Sequence, residues 1–397
     1  MKSILSGASM AHHCRFWRPG HAAFLQFQRR KDAQRLQNIS DDETHLEAAL
    51  EWLCAAQDAT EDGGFVGRYS LKRGWTSSYP ETTGYIIPTL LRLAEERSRP
   101  DLKARAERAF SFLIDLQLEN GAFPGAEVAE NLTEPSPFNS AQILNGLTAF
   151  HKHTGDERAL HAARRTADWL LDVMDDDGAF RKHYYYNQPS AYAAHLGCWV
   201  AEFGAHLGEE EGKPYLDAMS RHVDWVIRQQ SENGWYDTAG FDAEQHEKRE
   251  AFTHTIAYTI WGVLYMGILL GRDDVVASAR LAADGVAERL ETQGWLPGML
   301  GHDWSGREAS ACLTGNAQMA LIWFKLFELT GEGRYGEVAS QAIDLVKMAQ
   351  PLTSPNPGIR GGIAGSDPVW GAYIFTSIPN WAAKFFIDAL LEKARLG

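Results

Sequence analysis

One short stretch of the chain concentrates side chains that could move protons. It reads Arg181-Lys182-His183-Tyr184-Tyr185-Tyr186-Asn187. A phenol that lies beside cationic groups can have its pKa lowered, and it can then act as a base or as an acid. We therefore take Tyr185 and Tyr186 as catalytic candidates, and we expect Lys182, His183 and Tyr184 to contact a substrate.

Polar side chains also recur near the start of stretches that are otherwise apolar. His254 and Tyr258 are four residues apart, so they share one face of a predicted helix and are catalytic candidates. His195 and Asn316 occupy two further apolar stretches, and both are substrate-binding candidates. A polar group in such a helix must be paired or must face a wet cavity, and a buried, satisfied histidine is the commoner case. Because polar groups recur near the start of several apolar helices, we favour the interpretation that these helices line a cavity.

A third group of candidates spans residues 68–81. Arg68 and Arg73 could bind a carboxylate through paired hydrogen bonds, and Trp75 and Tyr79 could contact a ligand. Glu81 begins a predicted helix, where a carboxylate either complements the helix dipole or serves in catalysis. Further substrate-binding candidates in later loops are His302, Arg307 and Trp370.

These candidates lie in a chain that consists of six repeats. A glycine turn, usually followed by an aromatic residue, recurs at Gly64, Gly121, Gly178, Gly234, Gly294 and Gly362. The intervals between successive turns are nearly equal, and only the last one is clearly longer. An interval of this length fits one helical hairpin with its loops.

The repeats predict an all-α fold, an (α/α)6 toroid. Amphipathic helices that should form an outer ring are expected at 44–57, 101–118, 157–174, 214–230, 273–292 and 333–349. More apolar helices that should form an inner ring are expected at 82–96, 140–153, 190–206, 252–270, 312–329 and 378–394. Six long loops join each outer helix to the next inner helix and should meet at one end, which we call the mouth. Residues 41–397 form the predicted toroid domain, and residues 1–40 form an N-terminal extension.

Composition narrows the possible functions. A formal net charge of −14 argues against nucleic-acid binding. No uninterrupted run of 18 apolar residues predicts a membrane span, and the N-terminus lacks the apolar core of a signal peptide, so we expect a cytoplasmic protein. The four cysteines lack zinc-site spacing, and we predict no metal and no cofactor. The sequence does not specify an oligomeric state.

Several motifs resemble known families. The glycine-aromatic turns over about 44–394 resemble the QW-like repeats of the toroid superfamily of terpenoid cyclases and protein prenyltransferases, and more loosely the six-hairpin glycosidases. The segments 368–373 and 379–386 resemble bacterial toroid proteins associated with polysaccharide biosynthesis, and 143–147 is similar to part of glucuronyl C5-epimerase. The acid motif Asp-x-Asp-Asp of triterpene cyclases is missing, since Asp175-Asp176-Asp177 falls one residue short of it.

The resemblance and the aromatic-rich loops together suggest an enzyme that acts on an acidic glycan. Our first hypothesis is abstraction of the C5 proton of a uronate in an oligosaccharide or polysaccharide, by a lyase or a C5-epimerase. The alternatives are a glycoside hydrolase with paired carboxylates, a terpenoid cyclase-like enzyme, and a toroid that binds glycan without catalysis.

Overall fold

Two concentric rings of helices form the fold. The computed structural model describes residues 7–29, 36–130, 133–184 and 187–397. The outer ring consists of α3 (Asp42–Asp58), α5 (Pro100–Leu116), α7 (Glu157–Val173), α9 (Glu209–Ile227), α12 (Asp273–Gln293) and α14 (Gly333–Ala349). The inner ring consists of α4 (Pro80–Glu96), α6 (Pro137–Thr154), α8 (Ala194–Leu207), α11 (Thr253–Leu270), α13 (Leu313–Thr330) and α15 (Asn380–Leu396). The predicted (α/α)6 toroid is confirmed.

The burial pattern explains why the helices separate into two rings. In α7 the buried residues recur at three- and four-residue spacing, as in Ala159, Ala162, Ala163, Thr166 and Leu170, so only one face is apolar. In α11 almost every residue from Thr253 to Gly267 is buried. This helix is long and apolar enough to cross a membrane, but 72% of its apolar window lies inside the protein, as an inner-ring helix requires.

The inner helices approach one another closely and close the ring. Each contacts the next in chain order, and α15 contacts α4. Between α4 and α6, a Cβ atom added to Gly146 would lie 2.2 Å from the backbone oxygen of Gly84. Glycine is therefore required at this crossing, because any side chain would force the two helices apart.

The turns that follow the outer helices depend on glycine in the left-handed conformation. Gly121, Gly178, Gly234 and Gly294 have φ between 71° and 92°. In the first and sixth turns the left-handed residues are Gly63 and Gly361, each one residue before the glycine that the sequence period suggested.

The six long loops meet at one end, as predicted, and short strands join several of them. β1 (Arg68–Ser70) in the first loop pairs with β2 (Gly74–Trp75) and with β7 (Ser377–Pro379) of the sixth loop. β3 (Glu250–Phe252) pairs with β4 (Met299–Gly301), and β5 (Ala311–Cys312) pairs with β6 (Ser366–Asp367). The mouth is therefore a set of connected loops held in place by backbone hydrogen bonds.

The N-terminal segment packs on the first and sixth loops. It contains α1 (Gly7–His13) and α2 (His21–Phe27). The His21 Nε2 atom lies 3.1 Å from the Tyr69 hydroxyl, and Gln28 Oε1 accepts a hydrogen bond from the Val369 amide. These contacts place the segment at the rim of the mouth. A short helix, α10 (Ala243–Lys248), lies in the fourth loop.

Candidate active site

A central cavity of about 460 Å³ opens in the mouth. Four inner helices each place their second residue in its wall: Glu81 of α4, Phe138 of α6, His254 of α11 and Trp381 of α15. The helix starts therefore define one level of the cavity. Several of these side chains are aromatic, and two are titratable.

Glu81 is a buried carboxyl group with few polar neighbours. Its side chain is 7% exposed, and Oε2 accepts a hydrogen bond of 2.5 Å from the Tyr79 hydroxyl. Asn139 Nδ2 in turn donates to the Tyr79 hydroxyl at 3.2 Å. Burial raises the pKa of Glu81 to about 7, although the hydrogen bond from Tyr79 opposes the shift. Glu81 can therefore exist as an acid or as a base near neutral pH.

His254 is a neutral imidazole on a different wall. Its Nδ1 lies 2.9 Å from Gln318 Oε1. Because a carbonyl oxygen only accepts, Nδ1 carries the proton and Nε2 has the lone pair of a base. Burial lowers the pKa of His254 to about 4, so the ring is uncharged at neutral pH.

Glu81 and His254 belong to helices that face each other across the ring. The inner helices contact one another in the order α4, α6, α8, α11, α13 and α15, so α4 and α11 are separated by two helices in either direction. Both residues occupy the second position of their helix. The fold thus places an acidic group and a neutral base on opposite walls at the same level.

Tyrosine and other aromatic rings form much of the remaining wall. The Tyr258 ring packs at a tilt against His254, with ring centroids 4.3 Å apart, and the Tyr373 ring centroid lies 5.1 Å from that of His254. The Tyr373 hydroxyl accepts a hydrogen bond from Trp381 Nε1 at 2.9 Å. Burial raises the pKa values of Tyr85, Tyr258 and Tyr373 well above the ordinary value, so these phenols are donors near neutral pH.

Arg68 is the cation in the described lining of the cavity. Its Nη2 atom lies 3.4 Å from Glu127 Oε1, and both side chains line the cavity together with Glu130. The guanidinium has five N–H donors, so an ion pair with Glu127 leaves donors for a ligand. Sequence reasoning missed Glu127 and Glu130.

His195 is not part of the described wall of the cavity. Its ring stacks on Tyr258 with centroids 3.9 Å apart, and the residue is 1% exposed. Burial lowers its pKa well below the ordinary value, so the ring is neutral. Within the described part of the chain, neither ring nitrogen has a hydrogen-bond partner. His195 therefore packs against Tyr258, which does line the cavity.

The structure brings five predicted residues together in the cavity wall: Arg68, Tyr79, Glu81, His254 and Tyr258. Arg73 lines a neighbouring hollow instead. Trp75 packs against Tyr69 and Trp52. The candidates Tyr185 and Tyr186 lie outside the described residues.

The other candidates are placed away from the described cavity lining. Tyr184, a predicted substrate contact, is buried, and burial raises its pKa. Asn316 is also buried and donates to the Cys312 carbonyl at 2.8 Å. Four others are exposed or half-buried on the loops: Lys182, His183, His302 and Trp370. Arg307 is bound to Asp303 and Glu250.

Sequence reasoning did not single out Tyr85, Phe138, Tyr192, Phe252 or Trp381 as ligand contacts. Four of them are buried in the described structure, and all five line the cavity. Aromatic residues at the start of apolar helices look like core residues in a sequence. Their place near the start of successive inner helices was the available signal.

No site suited to a metal ion emerges from the described residues, since they contain no group of three or more His, Cys, Asp or Glu side chains arranged to bind one. The four cysteines are unpaired, and three are buried. The described wall of the cavity offers carboxyl, imidazole, phenol and guanidinium groups.

The comparisons with known proteins agree with the toroid fold. No protein-family profile matches the chain. An unsaturated glucuronyl hydrolase specific for heparin has a similar structure, with a TM-score of 0.70 and 14% identity over 89% of this chain and 97% of that one. Cellobiose 2-epimerase from Bacillus thermoamylovorans gives a TM-score of 0.69 and 12% identity over 87% and 98% of the two chains.

A curated relative comes from a different class of enzyme. Copalyl diphosphate synthase from Streptomyces cyslabdanicus is 30% identical over 299 residues, which cover 64% of this chain and 52% of that protein. The chain therefore spans about half the length of this relative. The chain is an (α/α)6 toroid, a fold that it shares with the two sugar enzymes at low sequence identity.

Proposed function

We propose that this chain is a carbohydrate-active enzyme that transfers a proton at C5 of a uronate sugar. The observation that carries the proposal is the pair of Glu81 and His254 on opposite walls of one aromatic-lined cavity. Structural neighbours named as a glucuronyl hydrolase and a sugar epimerase support a sugar ligand for this fold. Aromatic faces such as Trp381 offer stacking surfaces to a sugar ring.

Near neutral pH His254 is uncharged and a fraction of Glu81 is protonated, and these are the forms that the proposed reaction uses. His254 Nε2 takes the C5 proton, and the electron pair of the C–H bond moves into the uronate carboxyl group to form an enediolate. Arg68 balances the charge that develops on this group. Protonated Glu81 then donates its proton to C5 from the opposite face, which gives the C5 epimer and leaves Glu81 as a carboxylate. Exchange with water returns both groups to their starting states.

The same first step can lead to elimination. If the C4–O bond breaks when the C5 electron pair moves, the product is a 4,5-unsaturated uronate and the departing oxygen takes the proton from Glu81. Opposed acid and base groups favour epimerisation, because inversion needs proton donation from the face opposite to abstraction. Epimerisation is therefore the form of the reaction that we propose first.

The test is incubation with uronate-containing oligosaccharides in heavy water. We expect deuterium at C5 for an epimerase and ultraviolet absorbance of an unsaturated uronate for a lyase. Glu81→Gln and His254→Ala should each reduce turnover at least 100-fold, in line with the loss of a general acid or base. His161→Ala, an exposed change on the outer helix α7, is the control. Release of reducing ends without deuterium incorporation would instead indicate hydrolysis.

A second candidate function rests on the curated relative and on the aromatic wall. A protonated Glu81 could donate its proton to a carbon–carbon double bond, and the faces of Tyr85, Phe138 and Tyr258 could stabilise the resulting cation. Asp175, Asp176 and Asp177 would not supply this acid, since Asp175 and Asp177 are bound to Arg181 in a surface turn. Incubation with isoprenoid diphosphates, followed by mass spectrometry and chromatography of the products, tests this candidate.

A further inference from the structure

A second hollow continues from the central cavity along the first loop. Its volume is about 350 Å³, and it shares Arg68 and Ile374 with the cavity. Besides Arg68, its cationic residues are Lys72 and Arg73, with His13 of the N-terminal segment beside them. We call this hollow the basic groove. A third hollow, lined by Arg15 and Trp17, shares His13 and Lys72 with it.

Two of the three cations that line the basic groove, Lys72 and Arg73, have no carboxylate partner among the described residues. Within the described residues, neither Lys72 nor Arg73 forms an ion pair, whereas Arg68 is paired with Glu127. Most other arginines of this acidic chain have a carboxylate partner, as Arg97 and Arg272 do. Unpaired like charges at one place repel each other, and a cleft lined by a single sign attracts ligands of the opposite sign.

The electrostatics of His13 agree with an excess of positive charge. Burial is the larger cause of the lowered pKa of His13, and the positive charge of Lys72 lowers this pKa further. Thr376 and His13 are also in contact, with 3.4 Å between Oγ1 and Nε2, so the N-terminal segment is fixed against the groove.

The backbone under the groove is rigidly held. β1 pairs on one side with β2 and on the other with β7, so the hairpin that bears Lys72 and Arg73 is part of a three-stranded sheet. The Ser70 hydroxyl accepts hydrogen bonds from the amides of Lys72 and Arg73, both at 3.3 Å. The cations therefore project from a preorganised tip, which reduces the ordering cost of binding.

We propose that the basic groove is an anion subsite, which holds an oxyanion group of the substrate while another part of the same substrate occupies the central cavity. The statement that the bound anion belongs to the substrate rests on the proposed function of the cavity. The statement that the groove binds an anion does not. The ligand chemistry is that of carboxylate, sulfate or phosphate oxygens bound by a guanidinium and an ammonium group. An acidic glycan and a lipid diphosphate would both provide it.

The experiment measures binding without turnover. Isothermal titration with inorganic pyrophosphate and with a uronate tetrasaccharide is carried out on the wild-type chain, on Lys72→Ala/Arg73→Ala and on Lys103→Ala/Arg221→Ala. The last variant removes one lysine and one arginine that are exposed on outer helices α5 and α9, so it matches the change in net charge. Circular dichroism confirms that each variant is folded.

We expect saturable binding of at least one probe, weakened at least about tenfold in Lys72→Ala/Arg73→Ala and unchanged in the control variant. Added salt should weaken it, because these charges are exposed. Tighter pyrophosphate binding would identify a phosphate ligand, and tighter tetrasaccharide binding would identify a glycan. Absence of binding, wild-type affinity in Lys72→Ala/Arg73→Ala, or an equal loss in the control would overturn the proposal.

The outcome is separable from that of the proposed reaction. Glu81→Gln should lose turnover and keep anion binding, since Glu81 lines the cavity and not the groove. Binding that depends on Lys72 and Arg73, in a chain that turns over no uronate, would retain the subsite and reject the C5 reaction. Turnover of a uronate, together with unaltered anion binding in Lys72→Ala/Arg73→Ala, would retain the C5 reaction and reject the subsite.

Discussion

The hydrogen bond from Tyr79 to Glu81 should set the pH at which the cavity can donate a proton. The Tyr79 hydroxyl lies 2.5 Å from Glu81 Oε2 and stabilises the ionised carboxylate, which lowers the pKa that burial raises. Tyr79→Phe removes this donor and leaves the carboxyl group buried. The pKa of Glu81 should therefore rise above its wild-type value of about 7.

The size of the rise follows from the type of hydrogen bond. A hydrogen bond to a charged group contributes about 1.5–3 kcal/mol, and one pKa unit corresponds to about 1.4 kcal/mol. The expected increase is thus about 1–2 units, which would bring the pKa of Glu81 to about 8–9 in Tyr79→Phe.

Carbon-13 NMR of glutamate labelled at Cδ measures this pKa without a substrate. The signal of Glu81 is assigned by its absence in Glu81→Gln, and its chemical shift is followed against pH. Tyr373→Phe serves as a matched control, because in the described structure the Tyr373 hydroxyl accepts from Trp381 and is not bonded to Glu81. A pKa in Tyr79→Phe equal to or below the wild-type value would refute the reasoning.

Three further predictions concern stability. Folding raises the pKa of Glu81 from 4.5 to about 7, so the folded state holds the proton more tightly than the unfolded state. As the pH rises through this range, the unfolding free energy of the wild-type protein, measured in urea titrations, should fall by about 3 kcal/mol relative to that of Glu81→Gln. A difference that stays constant with pH would contradict this prediction. Gly146→Ala should destabilise the chain by about 1–3 kcal/mol in thermal unfolding, because the new Cβ meets the α4 backbone. Gly333→Ala is the control and should be nearly neutral, because nothing lies within 4 Å of a Cβ atom at that position. Lys384→Met should lower the unfolding free energy by about 3–5 kcal/mol, because Lys384 is buried and its Nζ lies 2.6 Å from Asp388 Oδ2. In chemical denaturation, the double variant Lys384→Met/Asp388→Leu should recover much of this stability. A double variant as unstable as Lys384→Met would argue against the ion pair as the cause.

The sequence predicted the architecture because the repeat leaves regular traces in it. Left-handed glycines lie in the turns that follow the outer helices, and the difference between one-sided and complete burial separates α7 from α11. Helix bounds agree with the expected ranges to within a few residues, except that α8 begins at Ala194 after a short 3-10 turn and α9 begins at Glu209. These differences occur where prolines and glycines interrupt the helical pattern, as at Pro189 and Gly208.

The site was harder to predict, because density of reactive side chains along the chain is a poor guide to their convergence in space. The run from Arg181 to Asn187 attracted the strongest functional prediction, yet Arg181 is bound to Asp175 and Asp177 and Tyr184 is buried. Glu127, which the sequence analysis passed over, meets Arg68 because the first two loops touch. Contacts between loops of different repeats depend on how the hairpins pack against one another, which no local pattern records.

The repeat nevertheless contained a signal for the pair at the centre of the cavity. The separation of Glu81 and His254 along the chain is close to three periods of the repeat. In a ring of six hairpins, three periods correspond to half a turn, so equivalent positions at this separation must lie on opposite walls. The same reasoning places Phe138, one period after Glu81, on the adjacent wall, where the cavity has it. Equivalent positions across a closed repeat therefore identify opposed catalytic candidates before any coordinates are known, provided that the number of hairpins has been counted correctly.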